Sequence, residues 1–600
     1  MAARTAEPTY SVTISRWRVN AMLFVAAIVV VLIILQLGNL QIAQHEELST
    51  RAAQEIDYTR VIQPSRGVIR DRMGNVLALD VERESLFVIP GLIDPEEAPK
   101  LALTLSSLLG DPAPDILAKL ENKELYWLPI KRWLEPETAE AIANLEQQGL
   151  VLQYEPRRFY PQHEYSAHVV GAVNLEGFGV SGVEAFYDTQ LKGITGTIKA
   201  EWDRAGNPIW IRQPETQPAN DGVDLELTLD PLVQHVVETE LKAAVEKHSA
   251  ASGTVIVMEP KTGAIRGMAS YPTFDPNHYY KYESDLYNIN PAVSRLYEPG
   301  STFKLVTVAA GLQSRAFDAD MQVNDTGVME RYGFMLKNWN SFGHGMIDPD
   351  RVLYHSSNIG ALLLNEKTGA EDFYEIVQEF GYGQPTGVDI AGEGTGIVNN
   401  HNSTGWSPIV LDTNSYGQGI AVTPLQQVRM VAAIGNDGKA MRPYIVQKRC
   451  RDDVCESTQP EVVGEPIEPA VAWTVRRMMI NAANSYAGQV VWGPRTGDYS
   501  DTWMVPGYEV GAKTGTSDIS AGEAGYTGQI IGSVVGLAPS EDARFAILVM
   551  IDRPQDDAYG VISAVPVFQA IAEQLLRYER ITPDQDMVGP GQVIGAVTQP

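Results

Sequence analysis

The first strong feature of the hydrophobic pattern is an uninterrupted apolar run of fifteen residues, Ala21–Leu35. A mainly apolar stretch continues past Gln36 and Asn39 to about Ala43. A membrane-spanning helix needs about 20 apolar residues, so the run alone is short, but the extended stretch is long enough. The pattern therefore predicts a single tilted span over residues 19–43.

Charges on the two sides of this span predict its orientation. Arginines precede it, whereas His45 and the acidic residues Glu46 and Glu47 follow it. Basic residues stay on the cytoplasmic side, so residues 1–18 form a cytoplasmic tail and the bulk of the chain lies outside. A cleaved signal peptide is the alternative. The absence of a small-x-small cleavage site after the run favours an uncleaved anchor.

The pattern from residue 44 to residue 220 is mixed. Short strand-like runs alternate with helical stretches such as Ala98–Leu109 and Pro136–Gln148. A structural role in ion pairs between domains is the favoured interpretation of four charged residues: Arg66, Arg70, Asp71 and Arg72. We expect a non-catalytic, membrane-proximal domain that ends at a linker, Gln213–Gly222, rich in polar residues and proline.

From residue 221 to residue 580 strands occur at both ends and helices in the middle. A helix, Leu232–Lys247, precedes a strand hairpin over 254–270, and three strand-like segments over 508–551 precede a final helix, Val565–Tyr578. This order predicts an α+β domain with one sheet assembled from both ends of the segment. Residues 581–600 are polar with several Gly and Pro, which predicts a disordered tail.

Composition narrows the class of protein. A chain of 600 residues is too long to fold around a single hydrophobic core, so two or more domains are expected. Its content of 44% apolar and 20% charged residues is typical of a globular protein. A net charge of −29 argues against nucleic acid as a partner. The nine histidines include no His-x-x-x-His pair, so we expect neither a metal nor an organic cofactor.

Only two cysteines are present, Cys450 and Cys455, in a polar stretch. Metal or redox chemistry in the cytosol normally requires more ligands or a Cys-x-x-Cys spacing. Outside the membrane, a small disulfide-closed loop is favoured over two free thiols.

The chain has one Ser-x-x-Lys sequence, Ser301-Thr-Phe-Lys304, followed by the apolar stretch Leu305–Leu312. On a helix, residues three apart lie on one side, so the Lys304 amine would lie beside the Ser301 hydroxyl. A serine needs a neighbouring base to act as a nucleophile, and a lysine is a base only when it is neutral. The alternative is an ordinary helix start with Ser301 as its N-cap.

Two further motifs follow in the chain. Ser356-Ser-Asn358 is the one Ser-x-Asn sequence, and taken alone it is compatible with a helix cap. Lys-Thr-Gly occurs three times: Lys261 lies in a predicted hairpin turn, and Lys367 lies at a predicted helix end. Lys513-Thr514-Gly515 follows an extended segment with small residues and precedes two strand candidates, Gln529–Leu537 and Arg544–Ile551. This context distinguishes Lys513.

The ordered set Ser-x-x-Lys, Ser-x-Asn and Lys-Thr-Gly is that of penicillin-binding proteins and class A β-lactamases. The flanking residues resemble class B penicillin-binding proteins from the anchor to about residue 580, and the division-type branch is favoured. The segments that carry the resemblance are Arg66–Ala78, Tyr297–Lys304, Asn338-Trp-Asn340, Phe380–Gly387, Ser415–Gln426, Tyr559-Gly560 and Ala564–Phe568. The resemblance implies a penicillin-binding transpeptidase fold, an antiparallel sheet flanked by helices, preceded by an elongated mixed α/β module.

The resemblance also implies an activity, namely D,D-transpeptidation of peptidoglycan stem peptides through an acyl-enzyme on Ser301, with covalent inhibition by β-lactams. Lys304 would accept the Ser301 proton, Ser356 would relay protons, and Asn358 would bind the substrate amide. Lys513 would supply positive potential, while Thr514 and Thr516, on either side of Gly515, would bind the substrate carboxylate. The backbone N–H groups of Ser301 and Thr516 would form the oxyanion hole.

The resemblance further implies partners: a polytopic membrane glycan polymerase and other wall-synthesis proteins, because no glycosyltransferase segment is visible before residue 220. The alternatives are a serine β-lactamase, a β-lactam-sensing membrane protein, or a catalytically silent scaffold. Glu366 is a carboxylate near the Ser-x-Asn motif, but its neighbours do not resemble the deacylation segment of a β-lactamase. A tail of eighteen residues is too short for a sensor's signalling domain.

Overall fold

The computed structural model describes residues 16–48, 57–202, 208–209, 215–452, 454–490, 503–520, 525–556 and 559–583. Most of the predicted cytoplasmic tail (1–15) and of the predicted disordered tail (584–600) lies outside these residues. The strands are β1 Asp57–Ile62, β2 Ile69–Arg70, β3 Val76–Val88, β4 Leu128–Lys131, β5 Leu150–Phe159, β6 Gly196–Trp202, β7 Pro208–Ile209, β8 Glu215–Gln217, β9 Asp224–Leu227, β10 Ser252–Met258, β11 Ile265–Tyr271, β12 Val323–Asp325, β13 Val328–Arg331, β14 Phe334–Lys337, β15 Gly345–Ile347, β16 Ala440–Met441, β17 Val446–Arg451, β18 Val454–Ser457, β19 Val462–Gly464, β20 Gly511–Ser520, β21 Tyr526–Ala538 and β22 Phe545–Asp552.

The helices alternate with these strands, and short 3₁₀ segments lie at Pro90–Leu92, Pro276–Lys281 and Gly300–Phe303. The α-helices are α1 Arg16–Gly38, α2 Ala98–Leu109, α3 Ala113–Glu121, α4 Pro136–Ala143, α5 Ala167–Val170, α6 Gly182–Phe186, α7 Asp188–Leu191, α8 Pro231–Lys247, α9 Ser284–Asn288, α10 Pro291–Ser294, α11 Lys304–Gln313, α12 Pro349–His355, α13 Asn358–Thr368, α14 Ala370–Glu379, α15 Pro408–Asn414, α16 Pro424–Gly435, α17 Pro469–Val490, α18 Gly560–Ser563 and α19 Val565–Tyr578.

The chain divides into two compact units. One comprises Met1–Pro64 and Ile194–Asn220, and the other Ser65–Gly193 and Asp221–Pro600. In the first unit, α1 and a π-helical turn to Ala43 form a 28-residue apolar helix of hydropathy 2.9 with no buried residue in its most apolar window. This helix is long and apolar enough to span a membrane. The same unit contains an antiparallel sheet in the order β1-β6-β7, with β8 paired to β6.

The second unit contains a seven-stranded sheet in the order β18-β17-β9-β2-β3-β4, with β5 paired to β3. Its β2 and β9 are parallel, with Ile69 opposite Leu225. Strands on both sides of the predicted boundary near residue 220 therefore share one sheet. Beside it, α2, α3 and α4 pack with β3 around a separate apolar core that includes Leu86, Leu105 and Ile116.

A group of charged residues connects two strands of this sheet with two short helices. We call this group the arginine cluster, and its members are Arg66, Asp80, Arg158, Glu184 and Asp188. Glu184 is fully buried and accepts hydrogen bonds from Arg66 Nε and Arg158 Nε, both at 2.7 Å. Asp188 pairs with Arg66 at 2.8 Å, and Asp80 pairs with Arg158 at 3.2 Å. The cluster ties β3 and β5 to helices α6 and α7.

The five-stranded sheet of the second unit has the order β11-β10-β22-β21-β20, with every pair antiparallel. It combines two early strands with three late ones, which confirms the predicted sheet assembled from both ends. Successive strand residues point to opposite faces. Gly536 approaches Phe568 of α19, whereas Leu537 approaches Gly435 of α16, so these two helices cover opposite faces.

Candidate active site

The Ser301 motif lies where a 3₁₀ turn, Gly300–Phe303, runs directly into α11. This confirms that the motif opens a buried helix. The Lys304 amine donates to Ser301 Oγ at 3.0 Å, as the three-residue spacing predicts. Gly300 has φ +56°, a left-handed conformation that glycine adopts without strain, and it sets the turn that presents Ser301.

The Lys304 side chain is fully buried. Its amine also lies within hydrogen-bond distance of the Ser356 carbonyl (2.6 Å), Ser356 Oγ (3.3 Å) and Asn358 Oδ1 (2.7 Å). Burial lowers the pKa of this amine well below its ordinary value, and the nearby Lys513 lowers it further, while Asp325 opposes the shift. A lysine in these surroundings is available as a neutral base.

Ser356 lies in the turn between α12 and α13, with a left-handed φ of 54°. Its hydroxyl lies between the two lysines, 3.3 Å from Lys304 Nζ and 3.0 Å from Lys513 Nζ. The next residue, Ser357, caps α13 by accepting a hydrogen bond from Gly360 N at 2.8 Å. Ser357 is therefore the helix cap, and the adjacent Ser356 contacts the two lysines of the candidate active site.

Asn338 and Asp325 support this turn, and no sequence motif gives either side chain a role. The buried Asn338 Oδ1 accepts hydrogen bonds from the backbone N–H groups of Asn358 (2.8 Å) and Ile359 (3.1 Å). Its Nδ2 donates to both oxygens of Asp325, at 2.9 and 3.0 Å. The Asn338-Trp-Asn340 segment was a usable signal, because it was part of the family resemblance.

Lys513 lies on β20, the edge strand of the five-stranded sheet, and its side chain is fully buried. Its amine lies within hydrogen-bond distance of Ser356 Oγ (3.0 Å), the Thr514 carbonyl (3.0 Å) and Tyr486 Oη (3.2 Å). Tyr486 belongs to α17, and nothing in the sequence pattern singled it out.

Close backbone packing places β20 against the Ser301 turn. A Cβ at Gly515 would lie 2.5 Å from Ser533 Oγ and 2.9 Å from the Pro299 carbonyl, so only glycine fits there. Thr516 Oγ1 accepts a hydrogen bond from Gly560 N at 3.2 Å. Thr516 therefore lies between the Ser301 turn and the start of α18.

The other two Lys-Thr-Gly sequences lie where the pattern predicted. Lys261 is in the hairpin between β10 and β11, and Lys367 is in the last turn of α13, with Gly369 as its C-cap at φ +81°. Glu366 forms an exposed ion pair with Arg331 at 3.5 Å. Cys450 and Cys455 are opposite each other in β17 and β18 and form a disulfide. Among the described residues, no group of three or more His, Cys, Asp or Glu side chains could hold a metal ion.

The structure thus brings Ser301, Lys304, Ser356, Asn358 and Lys513 into one hydrogen-bonded group. A serine hydroxyl in contact with a buried amine, with a second amine across a shared serine, is suited to acyl transfer. On this sheet-and-helix fold it defines the class of serine acyltransferases that react with penicillin.

Comparison with known proteins agrees with that class. The family model of the penicillin-binding protein transpeptidase domain matches residues 253–573, and that of the penicillin-binding protein dimerisation domain matches residues 61–227. The chain belongs to the class B penicillin-binding protein family.

Three relatives illustrate the similarity. Stage V sporulation protein D of Bacillus subtilis is 32% identical over 96% of this chain and 87% of its own length. Peptidoglycan D,D-transpeptidase FtsI of Escherichia coli is 30% identical over 87% of this chain and 85% of its own. The crystal structure of penicillin-binding protein 3 of Mycobacterium tuberculosis with aztreonam is 25% identical, covers 88% of this chain and 99% of that one, and has a TM-score of 0.66.

Proposed function

We propose that this chain is a peptidoglycan D,D-transpeptidase that cross-links stem peptides through an acyl-enzyme on Ser301. The observation that carries the proposal is the 3.0 Å contact between Ser301 Oγ and the fully buried Lys304 amine. The named activity of FtsI and the family match support it.

In the first half-reaction, Ser301 Oγ attacks the carbonyl carbon of the penultimate D-alanine while Lys304 accepts the hydroxyl proton. A C–O ester bond forms, the C–N bond to the terminal D-alanine breaks, and the leaving amine takes a proton through Ser356. The contacts of Ser356 Oγ with both lysines suit such a relay. An amine of a second stem peptide then attacks the ester, and Ser301 regains its proton.

Binding groups surround this centre. We assign the oxyanion hole to the backbone N–H groups of Ser301 and Thr516, an arrangement in which each donor is worth roughly 10²–10³ in rate. Thr514 and Thr516 bind the substrate carboxylate, with Lys513 adding positive potential. Asn358 binds the substrate amide through its Nδ2, which now donates to the Lys337 carbonyl at 2.9 Å.

Labelled penicillin applied to the full-length chain in detergent tests the proposal. A transpeptidase forms a long-lived adduct that mass spectrometry maps to Ser301 and that Ser301→Ala abolishes. Rapid turnover of the drug would identify a β-lactamase instead, and an unlabelled protein would identify a silent scaffold. Release of D-alanine from a pentapeptide substrate, dependent on Ser301, completes the test.

We further propose the organisation and location of the chain: a cytoplasmic tail (1–18), a single-pass anchor (19–43), a membrane-proximal domain (44–220), an extracytoplasmic transpeptidase domain (221–580) and a disordered tail (581–600). The apolar helix over residues 16–43 supports the anchor. Protease added to intact cells should remove the catalytic domain and spare the N-terminus. Cleavage only after cell lysis would contradict this orientation.

Two partners complete the proposal: a polytopic membrane glycan polymerase, and through it other wall-synthesis proteins, in the division-type branch of the family. Co-purification in detergent should recover a polytopic membrane protein, and its absence would count against the pairing. Depletion of the protein in growing cells should give filaments, whereas rounded cells would indicate an elongation role.

A further inference from the structure

Tyr486 lies near the end of α17 and is only 4% exposed. Its phenol oxygen lies 3.2 Å from Lys513 Nζ and 3.5 Å from the backbone nitrogen of Thr514. Both neighbours are N–H donors, so this oxygen serves as an acceptor to the Lys513 motif. Neither the sequence pattern nor the mechanism proposed above gives this side chain a role.

Among the described residues, the Lys513 amine is within hydrogen-bond distance of three oxygens. Two of them, Ser356 Oγ and the Thr514 carbonyl, belong to the motifs themselves, both at 3.0 Å. The third belongs to Tyr486. A fully buried amine loses its hydration, and hydrogen-bond acceptors of the protein replace the lost water. The phenol oxygen is one of these acceptors.

We propose that Tyr486 is a positioning residue for Lys513: its phenol oxygen holds the Lys513 amine directed toward Ser356. The inference rests on the proposed function and deepens it. A charged Lys513 is one of the groups that keep Lys304 neutral, because its positive field disfavours a second proton nearby. Tyr486 thereby acts on both amines without touching the substrate.

A neutral acceptor suits this position better than a carboxylate. A carboxylate at the same distance would hold the ammonium more tightly, but it would cancel the positive potential that attracts the substrate carboxylate and acts on Lys304. The phenol oxygen carries only a partial charge. It therefore stabilises the ammonium and leaves its field largely intact.

The experiment compares Tyr486→Phe with the unmodified full-length chain in detergent. The second-order rate of acylation by a fluorescent penicillin is measured across the range of pH in which the protein remains folded. At neutral pH we expect a roughly tenfold slower acylation, typical of losing a hydrogen bond to a charged group. The acidic limb of the profile, which reports Lys304, should move to higher pH, because a displaced Lys513 opposes protonation of the Lys304 amine less strongly.

Tyr374→Phe is the matched control, because Tyr374 is also buried and its phenol oxygen accepts a hydrogen bond from Trp406 Nε1 at 3.1 Å. It should lower the unfolding temperature without moving the acidic limb. A Tyr486→Phe profile that keeps the acidic limb in place, whatever its height, would overturn the inference. Should that variant fold poorly, 4-aminophenylalanine at position 486, a weaker acceptor of similar size, must show the same displacement of the acidic limb. Absence of labelling in the unmodified chain would instead overturn the proposed function.

Discussion

The arginines of the arginine cluster and the lysines of the active site are similarly buried, but among the residues that the structure describes only the arginines of these two groups contact carboxylates. Burial disfavours the charge of Arg158, yet the adjacent Glu184 carboxylate raises its pKa above the ordinary value. Around Lys304, within the described part of the chain, the hydrogen-bond partners are hydroxyl, carbonyl and amide oxygens, and its pKa is lowered.

The free-energy cost of burying a charged group therefore has a different outcome in each of these two regions. In the arginine cluster the free-energy cost of burial is offset by opposite charge, and the ion pairs join separate segments of the chain. At Lys304 burial lowers the pKa, the nearby Lys513 lowers it further, and no contacting carboxylate among the described residues offsets the cost, which favours a neutral amine beside the Ser301 hydroxyl.

The largest effect is expected for Lys304→Arg, because arginine keeps its proton at any accessible pH and cannot act as a base. Acylation by penicillin should fall by roughly 10³-fold. Stopped-flow or gel-based labelling measures the rate, and circular dichroism checks the fold. A variant that acylates within tenfold of the original rate would show that Lys304 is not the base.

Glu184→Gln should have the largest effect on stability. It leaves two buried guanidinium groups facing a neutral amide, and removing one partner of a buried pair costs about 3–5 kcal/mol. Denaturant unfolding of the folded fraction measures the change. Acylation per folded molecule should stay unchanged, and a large loss of rate would show that the cluster and the active site are coupled.

Asn338→Ala should have an intermediate effect on both properties. It removes the acceptor of two backbone N–H groups in the Ser356–Ile359 turn and the donor to Asp325. We expect a loss of about 2 kcal/mol in unfolding free energy and, because the turn carries Ser356 and Asn358, a roughly tenfold slower acylation. Asn340→Ala, in the same segment, is the control and should change neither quantity by as much.

The smallest expected effect is on stability, because burial of the Lys304 amine lowers the free energy of unfolding. With a lowered folded-state pKa, Lys304 binds fewer protons in the folded than in the unfolded chain at neutral pH. Lys304→Met should therefore raise the unfolding free energy by about 1 kcal/mol near pH 7. The advantage should shrink as the pH rises toward the ordinary lysine pKa. A destabilised variant, or an advantage independent of pH, would contradict a neutral Lys304.

Much of the fold was predictable because local patterns set it. The limits of α2 and α19 were predicted to the residue, and α8 within one residue, since each has an apolar face over a full helix length. The helix predicted over Pro136–Gln148 ends at Ala143 instead. The continuous sheet through β2 and β9 had no local signal, because strand pairing across 156 residues leaves no trace in either short strand.

The roles assigned to the site residues remain predictions, but their placement shows what sequence alone determined. The spacing of Ser301 and Lys304 set their contact, because both lie on one helical turn, and the context of Lys513 set its strand. Tertiary structure decided the rest: that Asn338 and Tyr486 reach the motifs, and that both amines are fully buried. Burial and approach depend on elements far apart in the chain, and it is burial that sets the pKa of Lys304 and hence the chemistry open to Ser301.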